Sequence, residues 1–296
     1  MSGRWLDELE PATSPPFVRM GTRALGRGGG GEGWLLGGDD VPGQLAEKHR
    51  VLAAHHDEVV AALDGTEAPA AELLAAIRRE VGGAAVGAGG GLHPIDEAAQ
   101  LVAEDLCLLV ERDGGWVLGA GSVCFPSHWR LTDKIGLPMA AVHDPVPDYG
   151  ADLADRVDRF LDKLRPGRGV WRRNWTIHAD PALHAPDVPP PPDPPVTEDD
   201  AGRRLWLRSE RQTLTRLPGS QAIVFTIRTQ QVPLETLRRH PDLRRRIAEA
   251  VEAWPAHQVA YRGGEAICRP LAAWLRTVDP TATAEGVGEP GDQHPV

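Results

Sequence analysis

The densest chemistry in this sequence lies between positions 124 and 149. There His128, His143, Trp129, Arg130, Asp133, Lys134 and Tyr149 alternate with helix breakers such as Pro126, Gly136, Pro145 and Pro147. Loops held on a rigid scaffold commonly carry binding groups. The spacing of His128 and His143 matches no zinc template. His143 ends an apolar run, so as residues alone it reads either as a ligand or as a satisfied core histidine. A second segment, Trp171-Arg-Arg-Asn-Trp-Thr-Ile-His178, reads as a strand. On a strand, Arg172, Asn174, Thr176 and His178 share one face, and Trp171, Arg173, Trp175 and Ile177 the other. Arg173 between two tryptophans suggests a cation–π stack, with a solvent-facing edge arginine as the alternative. In a third segment, Leu205 to Pro218, Arg208, Glu210 and Gln212 share a strand face flanked by Trp206 and Leu214. A carboxylate there needs a partner, either an arginine such as Arg228 or a cationic ligand.

Other constellations carry less. His49, His55 and His56 sit on a helix as surface polarity. Ser122, Ser127 and Ser209 lie in no nucleophile elbow. The run Gly28 to Gly31 lacks the Lys-Ser/Thr of a phosphate loop.

These segments need elements to position them. Apolar spacing predicts helices over 43–63, 69–80 and 95–104. A strand pair follows at 106–110 and 116–123, turning at Asp113-Gly114-Gly115. A helix over 152–164 and a strand over 170–178 come next. Seven prolines between 186 and 195 demand an extended connector. Strands over 205–217 and 221–229 turn at Pro218-Gly219-Ser220. The helical stretch 234–253 is interrupted by Pro241. The order predicts an α+β domain, an antiparallel sheet of about five strands with helices on one side. Residues 1–40 read as an irregular N-terminal segment, 41–276 as one domain, and 277–296 as a disordered tail.

Composition narrows the function. The 296 residues carry 32 Lys+Arg against 42 Asp+Glu, a net charge of −10, which argues against a nucleic-acid partner. No apolar run is long enough to cross a membrane, and the start has no secretory pattern. Three widely spaced cysteines, Cys107, Cys124 and Cys268, point to buried thiols in a reducing cytoplasm. Nine of the 15 aromatic residues are Trp, which suggests a pocket for a flat or cationic ligand as well as core packing.

Taken in order, the three segments carry a collinear motif. It runs Phe125-Pro-Ser-x-Trp-Arg-Leu-x-Asp-Lys-x-Gly136, then His143-x-Pro-Val-Pro-x-Tyr149, then Asn174-Trp175. It continues with Trp206-Leu-Arg-x-Glu-Arg-Gln-Thr-Leu-x-Arg-Leu-Pro218 and Phe225-Thr-Ile-Arg-Thr229. Over roughly residues 40–265 the chain resembles the haem-dependent oxidative N-demethylase family, which includes the haem subunit of dimethylamine monooxygenase. The resemblance implies a PAS-like fold, an antiparallel sheet with flanking helices and one haem b. It implies O₂- and two-electron-dependent removal of a methyl group from a secondary methylamine as formaldehyde. Electrons would come from a flavin and iron–sulfur reductase. It implies His143 as the axial iron ligand, with His128 a second candidate, and Glu210 as the anchor of the protonated amine. Arg130, Lys134, Arg173 and Arg228 become candidates for the haem propionates, and Trp129 and Trp175 for walls of the porphyrin. Two features depart from the family pattern: Gln230-Gln231 where an aromatic is usual, and the proline-rich insert at 186–195. A PAS-like haem sensor without turnover is the alternative, and fold alone does not separate the two.

Overall fold

A computed structural model describes residues 3–13, 22–26, 33–82, 92–147 and 151–277. Its strands are β1 (Arg23–Ala24), β2 (Val60–Ala62), β3 (Asp105–Arg112), β4 (Gly115–Ser122), β5 (Val170–His178), β6 (Trp206–Arg216) and β7 (Ile223–Pro233). Among the described residues the helices are α1 (Val41–Val59), α2 (Glu67–Val81), α3 (Pro94–Ala99), α4 (Met139–Val142), α5 (Ala151–Lys163), α6 (Ala201–Arg204), α7 (Pro241–Glu252), α8 (Ala256–Tyr261) and α9 (Glu265–Thr277). One seven-stranded sheet has the order β1-β5-β6-β7-β3-β4-β2, with every neighbouring pair antiparallel. The α+β reading holds.

Several local expectations are corrected. The sheet has seven strands rather than about five, because two short segments add to its edges. The first helix stops at Val59, and Val60–Ala62 becomes a strand on β4. The open edge of β4 offers ladder bonds that override the helix preference of Ala61 and Ala62. The third helix ends at Ala99 instead of 104. The Leu101 N–H bonds the Ala98 carbonyl in a tightened last turn, and Asp105 already begins β3. Pro241 starts α7 rather than interrupting a longer helix, and a 3₁₀ turn, Leu234–Arg239, precedes it. Within the irregular N-terminal stretch, Trp5, Leu6 and Leu9 are buried in the core. The tail after Thr277 lies outside the described residues.

Helices cover both faces of the sheet, not one. On one face, Leu207, Ile177 and Val232 pack with Leu243, Ile247, Leu271 and Trp274 of α7 and α9. On the same face, Leu106, Leu108 and Val224 pack with Leu73, Ile77 and Ile95 of α2 and α3. The other face, called the site face below, is covered at one end by α4 and α5. There Leu161, Leu164 and Met139 meet Leu109, Leu118 and Ile223. At its other end Val51, Leu52 and Val59 pack with Cys124 and Phe125.

A buried ion pair locks α1 to the start of β3. Lys48 Nζ lies 3.6 Å from Asp105 Oδ1, and both side chains are fully buried. Asp105 also accepts the backbone N–H groups of Cys124 (2.9 Å) and Phe125 (2.8 Å), which begin the segment richest in chemistry. Burial pushes the Asp105 carboxyl up, and the Lys48 charge opposes that shift. Removing one partner of such a pair leaves an uncompensated buried charge. Lys48→Met should therefore lower the unfolding free energy by about 3–5 kcal/mol in urea denaturation followed by circular dichroism. A loss below about 1 kcal/mol, the range of an exposed pair, would show that the ion pair does not hold the fold.

Candidate active site

Directly paired residues on neighbouring antiparallel strands point to the same face. The register aligns Asn174 of β5, Glu210 of β6 and Thr229 of β7. On either side of that row, Arg172 aligns with Gln212 and Ile227, and Thr176 with Arg208 and Gln231. These rows occupy the middle of the site face, between its two apolar ends.

Glu210 is 9 % exposed. Its Oε2 accepts from Asn174 Nδ2 at 3.0 Å and from Gln212 Nε2 at 2.9 Å. The Asn174 amide is itself oriented, because its Oδ1 takes the Glu210 backbone N–H at 3.0 Å. Gln212 is oriented by Arg172, whose Nε donates to Gln212 Oε1 at 2.7 Å. Arg228 is therefore not the partner of this carboxylate. It aligns with Arg211 on the opposite face and sits 3.1 Å from Asp40. The physical reason is strand alternation: residue 229, not 228, faces the way residue 210 does.

His143 caps the C-terminus of α4. Its Nδ1 lies 2.8 Å from the Met139 carbonyl, so Nδ1 carries the proton and donates it. In the neutral ring that leaves the lone pair on Nε2. Burial lowers the proton affinity of this imidazole, and the Arg172 and Lys134 charges lower it further. Arg172 thus links the two halves of the site, holding Gln212 against Glu210 and acting electrostatically on His143.

His128 sits elsewhere on this face. It adopts φ +60°, stacks on His178 with ring centroids 4.6 Å apart, and donates its backbone N–H to Ala185 at 2.7 Å. Burial beside Arg208 depresses His178 to about 3 and lowers His128 as well. Arg208 Nη2 donates to the carbonyls of Phe125, Pro126 and Leu183, and Nη1 to that of Ala182. This buried guanidinium clasps the 124–127 and 181–185 segments to the sheet.

The remaining sequence candidates separate. Lys134 follows the turn Leu131–Asp133 and lies near His143. Trp129 packs against the α4–α5 cluster and lines a small surface hollow with Glu58, Arg130 and His184. Arg130 forms ion pairs with Asp187 (2.7 Å) and Glu58 (2.8 Å). Arg173, Arg228 and Trp175 lie on the face opposite Glu210. There Arg173 binds Glu8 at 2.7 Å and lies 5.6 Å from the Trp5 ring rather than between Trp171 and Trp175. Trp175 stacks on Trp254 at 5.5 Å, with Arg262 against both rings. A single planar group cannot touch both faces of one sheet, so these three residues and Glu210 do not share one ligand.

Sequence reasoning did not single out Arg172, Gln212 and Thr229 as site residues. The β6–β7 part of the row was recoverable from the turn, where Leu217 and Ala222 pair beside Pro218-Gly219-Ser220. Counting outward from that pair sets 210 opposite 229. The β5–β6 register had no comparable local signal, since 27 residues separate the strands.

The group that the motif implies can be tested against these residues. A buried imidazole whose tautomer is fixed at Nδ1 has the chemistry of an iron ligand through Nε2. Lys134 and Arg172 bring positive charge near that imidazole, which suits an anionic porphyrin edge. The residues fit haem. No cluster of three or more His, Cys, Asp or Glu side chains suited to a bare metal ion occurs among the described residues. No helix among them is long and apolar enough to cross a membrane.

The family model described as haem-dependent oxidative N-demethylase, alpha subunit-like, matches residues 84–271. That match covers 188 of the 296 residues and contains His143, Asn174, Glu210 and Thr229. The chain belongs to the haem-dependent oxidative N-demethylase alpha subunit-like family.

Proposed function

We propose that this protein binds haem b and oxidatively removes a methyl group from a small secondary methylamine resembling dimethylamine. In balanced form, R–NH–CH₃ + O₂ + 2 e⁻ + 2 H⁺ gives R–NH₂ + HCHO + H₂O. The observation that carries this reading is Glu210, a buried carboxylate held by neutral amides rather than by a basic side chain. Its charge is left for a cationic ligand, which is what a protonated amine supplies. His143 would hold the haem iron through Nε2, with the ring oriented by its hydrogen bond to Met139. It is preferred to His128, which is stacked on His178 at the Arg208 end of the face. Lys134 and Arg172 are assigned to the haem propionates. Arg130, with its two carboxylate partners, and Trp129 are placed at the margin.

Bound haem would supply the centre at which dioxygen is reduced and the methyl group oxidised. The protein's own residues do the rest. Asn174 and Gln212 fix the direction of the Glu210 carboxylate before the amine arrives, which avoids ordering it during the reaction. Glu210 holds the ammonium proton and so keeps the amine oriented. The apolar walls from Leu109, Leu118, Leu161 and Phe225 exclude water. A separate flavin and iron–sulfur reductase is proposed as the electron donor. Three unpaired cysteines support placing the reaction in the cytoplasm.

The test is an absorption spectrum of the purified protein, supplemented with haemin if needed, followed by titration with dimethylamine. A Soret band should appear and shift on amine addition. Protein that stays colourless after haemin treatment refutes the haem assignment. A normal CO adduct with no response to any amine favours the sensor reading. Glu210→Gln should keep the Soret band and weaken dimethylamine binding by roughly 30-fold or more, since truncating a buried charge pair costs at least about 2 kcal/mol. His143→Ala should lose the Soret band or shift it strongly, as read by pyridine haemochrome and absorbance. Full haem retention with an unchanged spectrum would remove His143 from the ligand position.

A further inference from the structure

We propose that Thr229 is a second ligand-facing group of the Glu210 site and sets a preference for secondary over tertiary ammonium ions. This inference rests on the amine reading above. Thr229 and Glu210 are directly paired across β6 and β7, so their side chains emerge on one face with Cβ atoms about 4.5–5.5 Å apart. Thr229 is wholly buried, yet its Oγ1 has no hydrogen-bond partner. Other buried threonines on these strands do find one: Thr213 and Thr226 share a 2.7 Å hydrogen bond. A buried hydroxyl without a partner is costly and calls for an explanation, such as a ligand that completes it.

Glu210 has a matching vacancy in its bonding. Both amide donors converge on Oε2, which leaves Oε1 as its remaining acceptor. The site face thus offers two acceptors on adjacent strands, Glu210 Oε1 and Thr229 Oγ1. A protonated secondary amine carries two N–H donors and satisfies both. A protonated tertiary amine carries one and leaves the hydroxyl unpaired. A site built to receive a hydrogen bond rejects the analogue that lacks it, because the buried polar group is then left unsatisfied.

The experiment titrates full-length protein with dimethylammonium and with trimethylammonium by calorimetry, and records thermal melting without added amine. Wild type should bind the secondary ion at least fivefold more tightly. In Thr229→Val that ratio should fall towards one through loss of dimethylammonium affinity, while trimethylammonium binding stays within twofold. Thr229→Ser should restore the preference. The melting temperature of Thr229→Val should equal or exceed that of wild type, because valine keeps the shape and removes an unpaired hydroxyl. If Thr229→Val keeps the wild-type ratio, or melts well below wild type, the Thr229 assignment fails while the Glu210 reading stands. If wild type binds neither ion, both fail.

Discussion

Side chains along a β-strand alternate between two faces, and antiparallel register decides which ones meet. Almost everything distinctive about this protein follows from that constraint acting on β6. The strand pairs along its length with β5 on one side and β7 on the other. Its even-numbered residues, Arg208, Glu210 and Gln212, are delivered to the site face. Its odd-numbered residues, Leu207, Ser209 and Arg211, go to the opposite one. A slip of one residue would exchange the two sets, placing Arg211 opposite Asn174, where the carboxylate now stands, and Glu210 opposite Trp175. The deep pairing on both sides makes such a slip expensive, so the chemistry of the site is as rigid as the sheet.

Glu210 is held by amides rather than by a basic side chain. An arginine partner would have neutralised the carboxylate and made it structural. Asn174 and Gln212 supply hydrogen bonds without charge, so the carboxylate's direction is fixed without an ion pair. Formal charge elsewhere on the site face is committed differently. Arg208 is spent on four backbone carbonyls that bind two loops to the sheet. Lys48 and Asp105 cancel each other and seat the backbone of Cys124 and Phe125. These buried charges each organise a neighbouring segment, whereas Glu210 is hydrogen-bonded only by amides and feels the charge of Arg208 at longer range.

The opposite face shows what the arginines and tryptophans do when no ligand is in question. Arg173 ties Glu8, and with it the N-terminal turn carrying Trp5 and Leu6, to the sheet. Arg211 lies 4.8 Å from the Trp171 ring, and Arg262 lies 4.5 Å from that of Trp254. These stacks let long cationic side chains be buried at moderate cost, since the ring faces replace part of the lost hydration. The high tryptophan content is thus largely a property of cation–π packing. Of the motif's tryptophans, Trp129 and Trp206 stay with the site side of the sheet, and Trp175 does not.

Local sequence determined the elements with little ambiguity wherever a single period dominated. Residues 170–178 alternate and form a strand with those bounds, and the hairpins at Gly114 and Gly219 follow from their turn residues. The motif around His143 and Glu210 was equally legible, because it depends only on residue order. Alternation also showed that Asn174 and Arg172 share a face and that Trp175 and Arg173 share the other. What sequence could not settle was which face of β5 meets which face of β6, since the 27-residue connection with its prolines carries no register signal. That choice belongs to tertiary structure. It was made by where the apolar side chains of α4, α5, α7 and α9 could be buried, and by where the buried charges could find partners. It united Asn174, Glu210 and Thr229 into one row, and it sent Arg173, Arg228 and Trp175 to the other side of the sheet.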